Sequence, residues 1–390
     1  VFSELKKLNK NIILLGFVSM LTDISSEMVF SILPVFMSAG LMLDKFFIGL
    51  IEGVADATAN LSKFLSPFLE KKFKKKPVIL FGYALSAFLK PLFAFANSGV
   101  FVFFLRAFER VGKGIRGPAR DAMVADLSSS KIRGKAFGLH RMMDTLGAVM
   151  GPFFAFLILS FYTNDFSLVF LLSFIPGILS VLLLYFFVSE PKPREKNSKN
   201  NHSEISIAKG SYNWFLLSAS FFALGSMSFA FLLIRVQELG MKIAFVPLAY
   251  LLFNVVYAVF SIPFGALADR IGSVRAISLA YLLFFFAFLI FALSNDVLFS
   301  VIALVVYGMA TAGSETLQRT LASQIVPKEK MTGGFATYQG ITGLLLLPAS
   351  LVAGFLWSAF SPSAAFIFSA ACSLLALLFV QKVSTKIRRG

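Results

Sequence analysis

The chain has 390 residues, 57% of them hydrophobic and 14% charged, with a net charge of +16 and a mean hydropathy of +0.81. A soluble protein of this length carries about 25% charged residues, so the composition excludes an ordinary soluble domain and points to a membrane protein. The single cysteine, Cys372, excludes an internal disulfide or a cysteine zinc site, and two histidines, His140 and His202, are too few for a histidine metal centre.

Apolar runs of ~20 residues are long enough to cross a bilayer. Twelve are found, near 11–39, 46–69, 77–97, 99–122, 134–160, 166–188, 212–238, 244–268, 276–294, 297–323, 332–358 and 363–381. They are continuous rather than alternating, so the expected class is an all-α polytopic membrane protein and not a β-barrel. Lysine and arginine alternate between connections. With Val1 inside, the inner segments include Lys6, Lys7, Lys10, the run Lys71 to Lys76, Lys131, Arg133, Lys135, Arg270, Arg275, Lys382 and Arg388, whereas the outer loops hold only Lys45 and Lys242. That bias places both termini in the cytoplasm of a cell whose inner membrane the chain crosses. The same bias, with anionic lipid headgroups, accounts for the net charge, and no nucleic-acid partner is expected. The start, VFSELKKLNKN, lacks a small-residue cleavage site, so no removable signal peptide is expected.

In the first span Asp23 and Glu27 are four apart and share a helix face. Counting ~1.5 Å per residue from Asn11 puts Asp23 about 18 Å deep. The second span repeats the pattern with Glu52 and Asp56, followed by Asn60 and Lys63. Acids at such depth face a protein interior or a watery cavity, either neutralising a base or carrying a function. After the second span comes the basic connection SPFLEKKFKKKPV, and sliding the chain by 199 residues lays it on IPFGALADRIGSVRA. The same offset superposes Gly114 on Gly313, Arg120 on Arg319, Lys131 on Lys330 and Gly134 on Gly333. A constant offset matching that many special residues is an internal repeat. The chain thus reads as two pseudo-symmetric six-helix bundles, 1–188 and 212–390, joined by a polar cytoplasmic linker at 189–211.

Here the sequence resembles a family. Gly265-x-x-x-Asp269-Arg270-x-Gly272-x-x-Arg275 resembles the loop between the second and third helices, and its repeat, in the major facilitator superfamily. The first-half copy is degenerate, with Ser66, Glu70 and Phe73 standing for Gly, Asp and Gly. Arg110-x-x-Lys113-Gly114 is similar to the fourth-helix motif of that family, with Lys for Gln, and Gly147-x-x-x-Gly151-Pro152 resembles a signature of its proton-exchanging exporters. The resemblance covers nearly the whole chain. It implies a twelve-helix prokaryotic transporter working by alternating access, with Glu70, Lys71, Arg120, Asp121, Gly147, Gly151, Pro152, Gly265, Asp269, Arg270 and Arg319 in gating or architectural roles.

The fourth span contains LRAFERVGKGIRGPARDAMVAD at 105–126, where five bases face Glu109 and Asp121. Glu109 is three from Arg106 and four from Lys113, close enough to pair along the helix. Arg116, Arg120 and Asp121 approach the cytoplasmic end, where snorkelling or loop contacts suffice. Arg106, Arg110 and Lys113 lie deeper and are expected to meet Asp23, Glu27, Asp56 or Asp144. In the fifth span His140 and Asp144 are four apart on the face that continues to Gly147 and Gly151. An imidazole with an unperturbed pKa of ~6.5 beside an acid is either a satisfied core group or a proton carrier. In the second half, Arg235 and Glu238 read as a local pair, and Asn254, Tyr257, Tyr307 and Tyr338 offer hydrogen-bonding and aromatic surface.

The expected function is proton-coupled secondary transport of a small anionic solute, a carboxylate or siderophore-like compound. Proton coupling falls to Asp23, Glu27, Asp56, His140 and Asp144. Binding falls to Arg106, Glu109, Arg110, Lys113, Asn254, Tyr257, Tyr307 and Tyr338. The alternative is a multidrug or amphiphile–proton antiporter of the same fold. No Gly-x-x-x-x-Gly-Lys-Ser/Thr loop, cofactor or metal site is read, an enzyme is not expected, and the partners are substrate, protons and the bilayer around a monomer.

Overall fold

The computed structural model describes residues 9–128, 132–162, 165–190, 210–326 and 331–383. Every regular element among them is a helix, as it must be where the bilayer offers the backbone no hydrogen-bond partner. α1 (Lys10–Phe30) continues through Leu33–Val35 into a π-helical turn, Phe36–Gly40. α2 (Lys45–Ser62), the short α3 (Leu65–Lys72) and α4 (Lys75–Leu89) follow, and α4 tightens into a 3-10 helix at Lys90–Phe95. Pro91 causes the tightening, because it has no N–H to return to Ala87. The first half ends with α5 (Gly99–Leu127), α6 (Arg133–Phe161), α7 (Phe166–Leu172) and α8 (Phe174–Phe187). The second half holds α9 (Ser211–Gly225), α10 (Phe229–Glu238), α11 (Val246–Ile271), α12 (Ser273–Leu293), α13 (Val297–Ile325), α14 (Met331–Ala359) and α15 (Pro362–Val380).

Helix starts are written locally. The side chains of Asn9, Ser98, Asp165, Ser228, Asp296 and Ser361 each accept a backbone N–H from the first turn that follows. Among the described residues, ten helical segments are long and apolar enough to cross a membrane. The expected second and fourth spans, now α2–α3 and α5, are the ones whose acids and bases dilute that character. Among the described residues four expected single spans are interrupted. The first breaks at Ser31–Ile32, the second at Lys63–Phe64, the sixth at Ser173, and the seventh at Ser226–Ser228. Ser228 makes the last break tolerable: its hydroxyl caps α10 and its N–H donates to Ser350 Oγ at 3.3 Å.

The repeat differs at its most recognisable loop. Gly272, between α11 and α12, has φ +89° and ψ 147°, a conformation open to glycine alone. The matching Phe73 has φ −119° and ψ 158°, ordinary extended backbone, so the first half needs no glycine there. Most of the expected linker (191–209), His202, Lys131, Lys330 and several inner-loop bases lie outside the described residues.

By backbone proximity the chain forms two units. The first comprises Val1–Met42, Val54–Ser198 and Lys242–Leu251; the second comprises Leu43–Gly53, Lys199–Met241 and Leu252–Gly390. The assignment departs from the chain halves at two segments, the starts of α2 and of α11. In the first unit a core forms around Ile12, Leu15, Tyr83, Ile115, Met123 and Leu139; in the second, around Tyr212, Phe215, Tyr281, Leu317 and Tyr338.

Candidate functional site

Charge in the first unit gathers around α5. Glu109 is completely buried and is the node of the cluster. Its Oε1 accepts a hydrogen bond from Ser86 Oγ of α4 at 2.8 Å. Its Oε2 faces Arg106 Nη1 at 3.6 Å and Arg110 Nε at 3.8 Å. Those separations are ion pairs without close hydrogen bonds, so neither guanidinium fork is fully committed to this carboxylate. Both guanidiniums lie over the ring of Phe30 from α1, at 4.0 Å and 5.0 Å from its centroid. Arg110 Nη2 also approaches Asp56 Oδ1 at 3.9 Å, bringing the second-span acid into the cluster. Arg106 meets Glu109 of its own helix.

Sequence reasoning missed one member. Lys90, where α4 changes winding, is 0% exposed, and its Nζ donates to Ser26 Oγ of α1 at 3.1 Å. It lies within electrostatic reach of Glu109, Arg116, Asp23 and Glu27. Ser86 and Lys90 are four apart, so α4 presents one polar face to α1 and α5. A lysine before proline inside SAFLKPLFAF was the available signal. Arg116 also departs from expectation. It does not snorkel to the helix end but is 5% exposed, with its guanidinium 4.7 Å from the Tyr83 ring centroid. Tyr83 comes from α4, so packing against that helix turns Arg116 inward.

The acids of α1 sit where α6 comes closest. A Cβ on Gly147 would be 2.6 Å from Met20 O and 2.8 Å from Asp23 Cβ, and one on Gly151 would be 2.7 Å from Ile24 O and 2.8 Å from Glu27 Cβ. The glycine pair therefore sets the backbone distance at which Asp23 and Glu27 are presented. Glu27 Oε2 accepts a hydrogen bond from Tyr250 Oη at 2.7 Å. Lys113 is exposed, forms no ion pair within 4 Å among the described residues, and lies within electrostatic reach of Arg110, Glu27, Asp23 and Glu109. His140, buried, directs Nδ1 to Asp144 Oδ1 at 3.2 Å. Asp23 and Asp144 are electrostatic neighbours, and Arg120 joins this end through Nη1 donating to Ser19 Oγ at 3.0 Å while its Nε and Nη2 donate to Asp121. Asp23, Glu27, Asp56, Lys90, Arg106, Glu109, Arg110, Lys113, His140 and Asp144 thus form one connected charged network.

In the second unit the selected residues do not converge on one point. Tyr257 Oη donates to Glu315 at 2.7 Å. Tyr338 Oη donates to Gln318 Oε1 at 2.6 Å, and Gln318 Nε2 donates to Tyr281 Oη at 3.0 Å. Tyr307 is held among Phe229, Phe253, Phe284 and Phe288, with centroids 5.0–5.9 Å away. Asn254 is half-buried beside this group on α11. Glu52, buried, accepts from Ser228 Oγ at 3.4 Å, next to the break before α10. Arg235 lies within electrostatic reach of Glu238, and each also takes a longer-range partner: Arg235 donates to Ser294 O at 2.8 Å, and Glu238 pairs with Lys45 at 3.1 Å. Glu70 accepts from Ser66 Oγ at 3.1 Å, Lys71 is exposed, Asp269 and Arg270 are exposed in the last turn of α11, Gly265 is half-buried on α11 and Arg319 is exposed on α13.

A sequence profile for the Major Facilitator Superfamily matches residues 15–234 and 213–388. The chain is 32% identical over 393 positions to an uncharacterized MFS-type transporter of Methanocaldococcus jannaschii, covering 96% of each. It is 25% identical over 353 positions to an uncharacterized protein of Mycobacterium tuberculosis, covering 88% of this chain and 85% of the other. Among solved structures it resembles a nucleoside transporter with TM-score 0.81 and 14% identity, covering 96% and 100% of the two chains. It also resembles a D-xylose–proton symporter, with TM-score 0.76 and 16% identity over 97% of each. Identities this low speak to fold alone.

Proposed function

The chain belongs to the major facilitator superfamily and is a multi-pass membrane transporter, not an enzyme, and from that premise we propose that it moves a small anionic solute by proton-coupled alternating access. A carboxylate or siderophore-like chelate is the substrate class. The observation that carries this reading is the charge imbalance at burial among the described residues of the first unit: Lys90, Arg106 and Arg116 are at most 5% exposed, against Glu109 alone among the described acids there. Buried charge is costly in a membrane and is retained where a pathway needs it. An arriving carboxylate would engage the guanidiniums of Arg106 and Arg110, with Lys113 at the accessible edge. Asp23, Glu27, Asp56 and the His140–Asp144 pair are the proton-coupling groups, exchanging protons as their contacts open and close. The repeats 1–188 and 212–390, joined by 189–211, are the moving halves. Both termini are cytoplasmic, and a monomer suffices.

The test is uptake of labelled mono-, di- and tricarboxylates into proteoliposomes, with and without an imposed pH gradient. Saturable uptake should be stimulated by the gradient and reduced at least tenfold by Arg110→Gln. Flux indifferent to both the gradient and Asp23→Asn defeats proton coupling. The second reading, amphiphile–proton antiport, is favoured by the aromatic group around Tyr307 and by Gly147, Gly151 and Pro152. It gains if vesicles expel a lipophilic cationic dye and ignore carboxylates.

A further inference from the structure

In the first unit, one surface departs from its own repeat. Where the second half carries Gly265, Asp269, Arg270, Ile271, Gly272, Ser273 and Val274, the first carries Ser66, Glu70, Lys71, Lys72, Phe73, Lys74 and Lys75. With Lys76 and Arg275 next in register, a loop with two bases in one copy has five in the other.

The geometry gives that difference a use. Around the break at Lys63–Phe64 and along α3 the chain bares a stripe of apolar side chains. Leu61 at the end of α2, Phe64 at the break, and Leu65 and Phe68 of α3 are 52%, 61%, 49% and 68% exposed. Phe73, 48% exposed, extends the stripe. The bases flank it: Lys71 Nζ lies 5.8 Å from the Phe68 ring centroid and Lys72 Nζ 5.6 Å from that of Phe73. Lysine stems thus run along aromatic surface with their ammonium heads beyond it. Two other bases are committed to the protein, Lys75 to Asp126 and Lys76 to Tyr185 O at 2.8 Å. Lys71, Lys72 and Lys74 are exposed and have no ion-pair partner among the described residues. The one acid in the stretch, Glu70, is engaged by Ser66. The connection is fixed in place, because Glu190 accepts the N–H groups of Lys75 at 3.1 Å and Lys76 at 2.8 Å.

We propose that α3 and the Phe73–Lys76 connection form a binding surface for anionic phospholipid headgroups. The apolar stripe enters the ends of the acyl chains, and Lys71, Lys72 and Lys74 meet the phosphates. Charge complementarity selects this occupant, since a row of unpaired cations beside exposed aromatic rings fits the boundary between headgroup and chain. Each lysine near an anionic surface contributes roughly fivefold in affinity, so three give on the order of a hundredfold. The surface is separate from the charged network around Glu109 and does not depend on what is transported.

The experiment is native mass spectrometry of the full chain released from detergent, with phosphatidylglycerol or phosphatidylcholine added at equal concentration. The wild-type chain should retain phosphatidylglycerol preferentially. Lys71→Gln/Lys72→Gln/Lys74→Gln should lose at least tenfold of that preference while keeping its melting temperature in phosphatidylcholine micelles. Lys382→Gln, an exposed base stacked on Trp214 in the second unit, should keep the preference. Equal phosphatidylglycerol retention by the triple variant, or an equal loss in Lys382→Gln, overturns the proposal. So does displacement of the lipid by millimolar glycerol 3-phosphate, which would mark a site for free phosphate.

Discussion

Replacing Gly151 by alanine tests the claim that a glycine pair sets the distance between α1 and α6. The new Cβ would stand 2.7 Å from Ile24 O, which is 0.7 Å inside the 3.4 Å where ordinary contact begins, and 3.0 Å from Met28 N. Both atoms are backbone, so no side chain can swing away and the helices must part. Overpacking of this kind costs ~1–3 kcal/mol. The same helix supplies a control: a Cβ on Gly138 meets nothing within 4 Å. Gly138→Ala should therefore gain the ~0.5–1 kcal/mol that alanine holds over glycine in a helix. The two substitutions are chemically identical and opposite in sign. At ~2–4 °C per kcal/mol for a unit of 150–250 residues, their melting temperatures should differ by several degrees. Circular dichroism at 222 nm is the suitable probe, because Trp214, Trp357 and Cys372 all belong to the second unit and would not report on the first. A Gly151→Ala protein that melts at or above Gly138→Ala would refute the close-approach reading.

Glu109→Gln removes the carboxylate that Arg106 and Arg110 share, leaving buried cations without their counter-charge. The expected cost is ~3–5 kcal/mol, read as a melting shift several times that of Asp121→Asn, whose side chain is 53% exposed. At Gly272 an alanine must adopt φ +89°, at ~1–3 kcal/mol. Phe73→Ala at the repeat-related position carries no such backbone penalty, so equal melting shifts for the two would contradict the proposed asymmetry.

The helical fold was legible because span length and continuity are local properties, and the repeat followed from one constant offset. Arg106, Glu109 and Arg110 stood out for a similar reason, since an ionisable group within an apolar run needs no partner to be noticed. Lys90 escaped because its meaning depends on α1 and α5 arriving on its face, which spacing along α4 does not disclose. Arg116 shows the same limit. A depth count places its Cα but cannot tell whether the side chain runs outward to headgroups or inward onto Tyr83. The break at Ser226–Ser228 follows Gly225, but that glycine alone does not tell a break from a close helix approach, and the partner that satisfies the break, Ser350, is remote in sequence. Glu238 likewise takes Lys45 in addition to a neighbour three residues away.

The 3-10 winding at Lys90–Phe95 changes how the third span measures against a bilayer. A 3-10 residue advances ~2.0 Å where an α-helical residue advances ~1.5 Å. Six such residues therefore lengthen the element by ~3 Å, and the 21 residues of Lys75–Phe95 reach as far as ~23 wound throughout as α-helix. Mismatch between a span and the hydrocarbon costs a fraction of a kcal/mol per Å. The hydrophobic thickness this protein suits is thus set by pitch as well as by residue number, and Pro91, by fixing the pitch, acts on membrane fit from inside the bundle.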